Sequence, residues 1–208
     1  THSGLALYQP ETDNFKVFNK DNSVIKTDLI SAISETKNGD ILFADKKFLY
    51  RYSKQTSQII VVTQVFKEES FIKVIFEEAN RIWVGSNKFG AKLIDTETFE
   101  VHDTSKVNPW SISLDIRALH DITVINGNYW LATNKGLIVL ASNGRILKRI
   151  QNDGLGVSEE VNSLSISVVG NDIWVGTYIG LFLLSDAAVA IISPDYQPNY
   201  LHLNSDTY

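Results

Sequence analysis

The chain repeats itself, and that constrains its fold more than any other feature. The segments "NRIWVGSNKFGAKLID" (80–95), "GNYWLATNKGLIVLAS" (127–142) and "NDIWVGTYIGLFLLSD" (171–186) align on Trp83, Trp130 and Trp174. Those tryptophans stand 47 and 44 positions apart. Each is followed by Gly or Ala, then Ser or Thr, then a second Gly and an aliphatic run. A weaker copy, "GDILFADKKFLYRYS" (39–53), is aligned with Phe43 in the tryptophan place, 40 positions before Trp83. The opening residues 1–18 match a unit lacking its first half, because Thr1 and Gly4 fall where Thr177 and Gly180 do. A period of about 40–45 residues built from short strands predicts propeller blades, whereas helical solenoids carry a 3.6-residue apolar period in every repeat. No such period of useful length occurs here.

Four strands are expected in each unit, the first alternating in polarity, as in "FIKVIFEE" (71–78) and "IRALHDITV" (116–124). Asn and Gly follow, as in Asn126-Gly127, supplying the positive φ angles of a tight hairpin. The tryptophan strand, a third strand and a more polar fourth complete the unit. The predicted class is therefore all-β, a β-propeller with full blades at 29–66, 71–103, 116–150 and 161–193 and partial ones at 1–18 and 199–206. Four full blades and two fragments suggest an arc of a larger propeller, with apolar faces and strand edges left for self-association; the alternative is a small ring closed by pairing of the end strand with residues 4–18. The tryptophans are expected between blades, as core rather than as stacking platforms. The Gly-Ser/Thr pair is expected to make room for the neighbouring sheet.

Composition removes several classes of function. Hydrophobic residues make up 44% and charged residues 21%, which supports a packed core. A net charge of -5 argues against a nucleic-acid partner. There is no cysteine, so no disulfide and no thiolate metal site can form. The first residue is Thr rather than Met, and no leader is recognisable, as expected of a processed or excised segment.

No catalytic motif emerges. His2, His102, His120 and His202 have no metal-ligand spacing, and neither a nucleophile elbow nor a phosphate loop is present. The acids of "DTETFE" (95–100) could hold calcium, but Asp95 at the head of a turn has a plainer role. Neither cofactor nor metal is expected, and no catalytic residue. Binding is more defensible. Ser31, Lys73, Arg117 and Asn162 each follow an aliphatic residue early in a first strand, and are expected to ring the channel as a site for a polar or anionic ligand. Lys46, Asn87, Asn134 and Tyr178, in the loops after the tryptophan strands, are expected on the same face. Trp110, in the inserted loop 103–115, is the candidate for stacking on a sugar or peptide.

The three tryptophan segments, with "NDGLGVSEEVNSL" (152–164), resemble the two-component-regulator propeller repeat of bacterial sensor proteins. Phe43, Ala44 and Ala132 depart from its pattern, as does the insertion. The resemblance implies a periplasmic sensory domain of an inner-membrane receptor. It would bind a small molecule, an oligosaccharide or a protein, and signal to a histidine kinase or diguanylate cyclase output domain of the same chain. It would not itself be an enzyme. The alternatives are a propeller lyase or glycosidase, with carboxylates from several blades, and an assembly scaffold.

Overall fold

The computed structural model describes residues 3–104, 114–151, 162–186 and 200–203. These hold eighteen β-strands and no α-helix. The chain divides into two compact units, Thr1–Asp103 and Thr104–Tyr208.

The first unit opens with a hairpin of β1 (Leu5–Gln9) and β2 (Asn14–Phe18). A four-stranded sheet follows: β3 (Ala32–Glu35), β4 (Ile41–Ala44), β5 (Phe48–Ser53) and β6 (Gln58–Gln64). A second comprises β7 (Ile72–Glu78), β8 (Arg81–Ser86), β9 (Ala91–Asp95) and β10 (Val101–Asp103). The second unit holds β11 (Leu119–Ile125), β12 (Asn128–Thr133), β13 (Gly136–Leu140) and β14 (Ile146–Ile150). Its other sheet is β15 (Ser163–Val169), β16 (Asp172–Thr177), β17 (Gly180–Leu184) and β18 (Tyr200–Leu203). Every sheet is an antiparallel meander in chain order. The strand Tyr200–Leu203, expected as part of a further blade, instead pairs with β17 as the fourth strand of this last sheet.

The small residues of the repeat have local jobs. Asn126 and Gly127 both take positive φ, 51° and 76°, as a two-residue turn of the primed type requires. The hydroxyls of Ser86, Thr133 and Thr177 donate to the carbonyls of Gly90, Gly136 and Gly180 at 3.3, 2.8 and 2.8 Å. The same oxygens accept from the Phe89, Lys135 and Ile179 amides. These residues therefore close the turn into the third strand, a role the sequence reading did not assign to them. The second glycine is needed because the chain crosses itself there. A Cβ on Gly136 (φ +82°) would stand 2.2 Å from the Ile150 carbonyl oxygen, and one on Gly4 (φ +92°) 2.1 Å from that of Phe18. The same clash at both places identifies β1–β2 as the third and fourth strands of a unit. Gly136→Ala should cost about 2 kcal/mol from strain and displaced backbone, readable as a lower urea midpoint.

Sheet faces alternate, so a one-residue shift of alignment changes which neighbour a side chain meets. Trp130, Ala132, Leu137 and Val139 pack on Ile173, Val175, Phe182 and Leu184 of the next sheet. In the first unit, Leu42, Ala44 and Leu49 pack in the same sense on Ile75, Ile82, Val84 and Ile94. Leu42 pairs with Arg51 two residues beyond the Ala44–Leu49 pair, as Trp130 pairs with Val139 two beyond Ala132–Leu137. Leu42, not Phe43, therefore occupies the tryptophan place. Phe43 lies on the opposite face, with Tyr50, Tyr52, Phe18 and Ile25.

Trp83 and Trp130 are each 1% exposed, and Trp174 is only half-buried. Trp174 shares its face with Leu181 and Leu183, neither fully covered. The outward face of the β1–β2 hairpin is likewise open, with Tyr8 and the 60% exposed Phe15 in contact, their centroids 5.3 Å apart.

Candidate functional site

Within the first unit, three loops meet: the β4–β5 turn, the segment before β7 and the β8–β9 turn. The Ser70 amide donates to the Lys46 carbonyl (3.1 Å) and the Asn87 amide to that of Phe71 (3.0 Å). Asn87 Oδ1 accepts from Ser70 Oγ (2.9 Å) and from the Phe71 amide (3.1 Å), which leaves its Nδ2 protons as donors at the surface. Ile72 is buried, so alternation turns Phe71 outward, where it is 41% exposed. Lys46 Nζ and Lys73 Nζ lie 5.9 and 5.6 Å from its ring centroid. Lys46 is paired with Glu69 at 3.0 Å, and this hydrogen-bonded charge holds the Glu69 carboxyl below its ordinary value. The cleft so formed has a volume of about 370 Å³ and is lined by Lys46, Glu69, Ser70, Phe71, Asn87 and Lys88.

Three of the candidates from the sequence, Lys46, Lys73 and Asn87, thus come together around a phenyl ring that the sequence reading missed. A signal for it exists: Phe71 is an aromatic directly before the first strand, where Ala118 and Asn162 stand in the second unit. Asn134 repeats the Asn87 device, its Oδ1 accepting from the Arg117 and Ala118 amides at 2.9 Å each. There the platform is absent, because Ala118 replaces Phe71. Ser31 spends its hydroxyl on the Ala44 and Asp45 carbonyls, at 3.4 and 3.3 Å, so its role is structural.

The expected ring of Ser31, Lys73, Arg117 and Asn162 is not one repeat position. Lys73 is the extra residue of a bulge between Ile72 and Val74, and the same bulges lie between Leu119 and Asp121 and between Ser163 and Ser165. The counterparts of Lys73 are therefore His120 and Leu164. Arg117 and Asn162 come earlier, before their strands begin. The insertion and slip could not be seen in the sequence, because a bulge leaves no fixed residue signature. Tyr178 is 73% exposed in the β16–β17 turn, and Trp110 lies outside the described residues.

Asp95 holds its turn, Oδ1 accepting from the Glu97 and Thr98 amides at 2.8 Å each. These bonds, that from Thr98 foremost, keep its carboxyl below the usual range. A larger cleft of about 630 Å³ runs beside Phe66, Phe89, Lys92, Val101 and Asp103. Its Lys92 and Asp103 pair with each other across β9 and β10.

Successive four-stranded meanders, with tryptophan or leucine wedged at one repeat position, define a β-propeller segment. Neither a family model nor a curated protein matches the sequence. Solved structures do match. The extracellular domain assigned to the hybrid two component system BT3049 of B. thetaiotaomicron is 16% identical with a TM-score of 0.71, over 98% of this chain and 26% of that one. The corresponding domain of BT4673 from the same organism is 17% identical with a TM-score of 0.68, over 88% and 25%. PorZ, a surface component of the type-IX secretion system of Porphyromonas gingivalis, is 15% identical with a TM-score of 0.62, over 90% and 30%. This chain spans about a quarter of the length of the first two. At such identities the likeness establishes the fold.

Proposed function

We propose that this chain is a sensing segment of an extracytoplasmic, membrane-bound receptor of the two-component-regulator propeller kind, coupled to a kinase or cyclase output domain in the same polypeptide. The observation that carries it is the convergence of Lys46, Lys73 and Asn87 on the exposed Phe71, at the loop face of a fold shared with two extracellular signalling domains. The repeat motif Trp-x-Gly-Thr-x-x-Gly-Leu (174–181) supports the same family. Binding is favoured over catalysis at this cleft, since its Glu69 carboxylate is engaged by Lys46 at 3.0 Å. The test of compartment uses the full-length protein with an epitope inserted between residues 20 and 23. Protease added to spheroplasts should remove the epitope; protection until the membrane is permeabilised would overturn the reading.

The two open faces favour self-association as a second role. The Trp174 face and the Tyr8/Phe15 face are the two complementary sides of the contact that Trp130 makes with Phe182. A second copy could therefore stack head to tail, burying both. Sedimentation of the chain should show concentration-dependent mass, reduced by Phe15→Asp; a monomer across the range would eliminate this role.

A further inference from the structure

We infer that the Phe71 cleft takes an organic carboxylate whose acid group sits beside a flat apolar face. This rests on the ligand-sensing reading above and specifies its chemistry. The acid follows from charge. Lys46, Lys88 and Glu69 line the cleft, Lys73 stands beside its Phe71 ring, and Lys47 and Glu68 lie near Glu69 and Lys88. Glu69 is taken by Lys46 and Glu68 lies 4.0 Å from Lys88. Lys73 is exposed, and among the described residues its ammonium is matched by the Phe71 ring alone, at the far limit of cation–π range. On a chain of net charge -5, this is a local excess of cation, with no carboxylate partner for Lys73 among the described residues.

The apolar face follows from Phe71. The hydrogen bond from its amide to Asn87 Oδ1 fixes its backbone at the strand entry, so its ring is presented from a preset position. The lysine stems are flexible and swing aside, so a flat ligand lies on the ring while Lys73 meets its acid. Asn87 Nδ2 then supplies a neutral donor to a hydroxyl or carboxylate oxygen. Sugar acids and aromatic acids share this chemistry.

The test is an NMR titration of the chain with D-glucuronate and with 4-hydroxybenzoate, each against its neutral amide. At least one acid should shift the Phe71 and Lys73 amide signals and bind ten-fold or more tightly than its amide. Lys73→Gln should weaken it at least five-fold and Phe71→Ser at least ten-fold, whereas Lys67→Gln should leave it unchanged. Which acid binds distinguishes the sugar source from the aromatic one. The inference is overturned if neither acid binds, if acid and amide bind alike, or if Lys73→Gln has no effect. Such a failure leaves the receptor reading standing on its own protease test.

Discussion

Trp130→Ala is expected to destabilise the second unit by about 3–5 kcal/mol, the range for truncating a buried Trp in a core that cannot collapse around the void. The indole is wholly enclosed, between its own sheet and the Ile173–Leu184 surface of the next. Trp174→Ala removes the same atoms from the same repeat position but from an open face. It should cost less, about 2 kcal/mol, since part of its surface already meets water. Urea unfolding followed by far-UV circular dichroism gives both values. Equal losses would mean that Trp174 is covered in solution, as self-association would predict, and dilution would then separate the two.

Asp45→Ala should cost about 3 kcal/mol, because it leaves several buried donors without an acceptor. Asp45 replaces the Ser or Thr that closes the equivalent turn in the other sheets. It is 1% exposed and accepts from the Lys47 and Phe48 amides at 2.7 and 2.8 Å. Its other oxygen accepts from the Tyr50 hydroxyl at 2.7 Å, and that hydroxyl accepts from the Lys26 amide at 3.0 Å. Asp45→Ser keeps the turn bonds, as Ser86 does, and should recover about half the loss. Burial, helped by the bond to Asp45, pushes the Tyr50 phenol well above its ordinary value. A folded pKa raised in this way stabilises fully below the unfolded value near 10. That contribution is lost as the pH climbs beyond it. Asp45→Ser removes part of what raises the phenol, so its urea midpoint, followed by circular dichroism between pH 9 and 12, should fall less steeply with pH than the parent's. Equal slopes would show that the phenol contributes nothing to the alkaline limit.

Much of the blade pattern was legible because its causes are local. Asn126-Gly127 forms the turn its dihedrals demand, and the glycine of Gly4 and Gly136 recurs because no side chain fits there. The misplacement of Phe43 arose where this local logic ends. Phe43 and Leu42 are both apolar, and only the pairing of Ala44 with Leu49 shows which of the two faces the next sheet. The site was half legible. Lys46, Lys73 and Asn87 could be named as polar groups at repeat positions, but Arg117 and Asn162 were matched to Lys73 without knowledge of the bulge.

The sequence by itself determined the number of strands per unit, the turns between them and the all-β class, since each depends on contacts a few residues apart. Tertiary structure alone decided that Phe71 stands beneath two lysines, and that Trp130 is enclosed while Trp174 is not. Those facts depend on surfaces brought from far along the chain, Lys46 from 25 positions before Phe71 and Ile173 from 43 after Trp130.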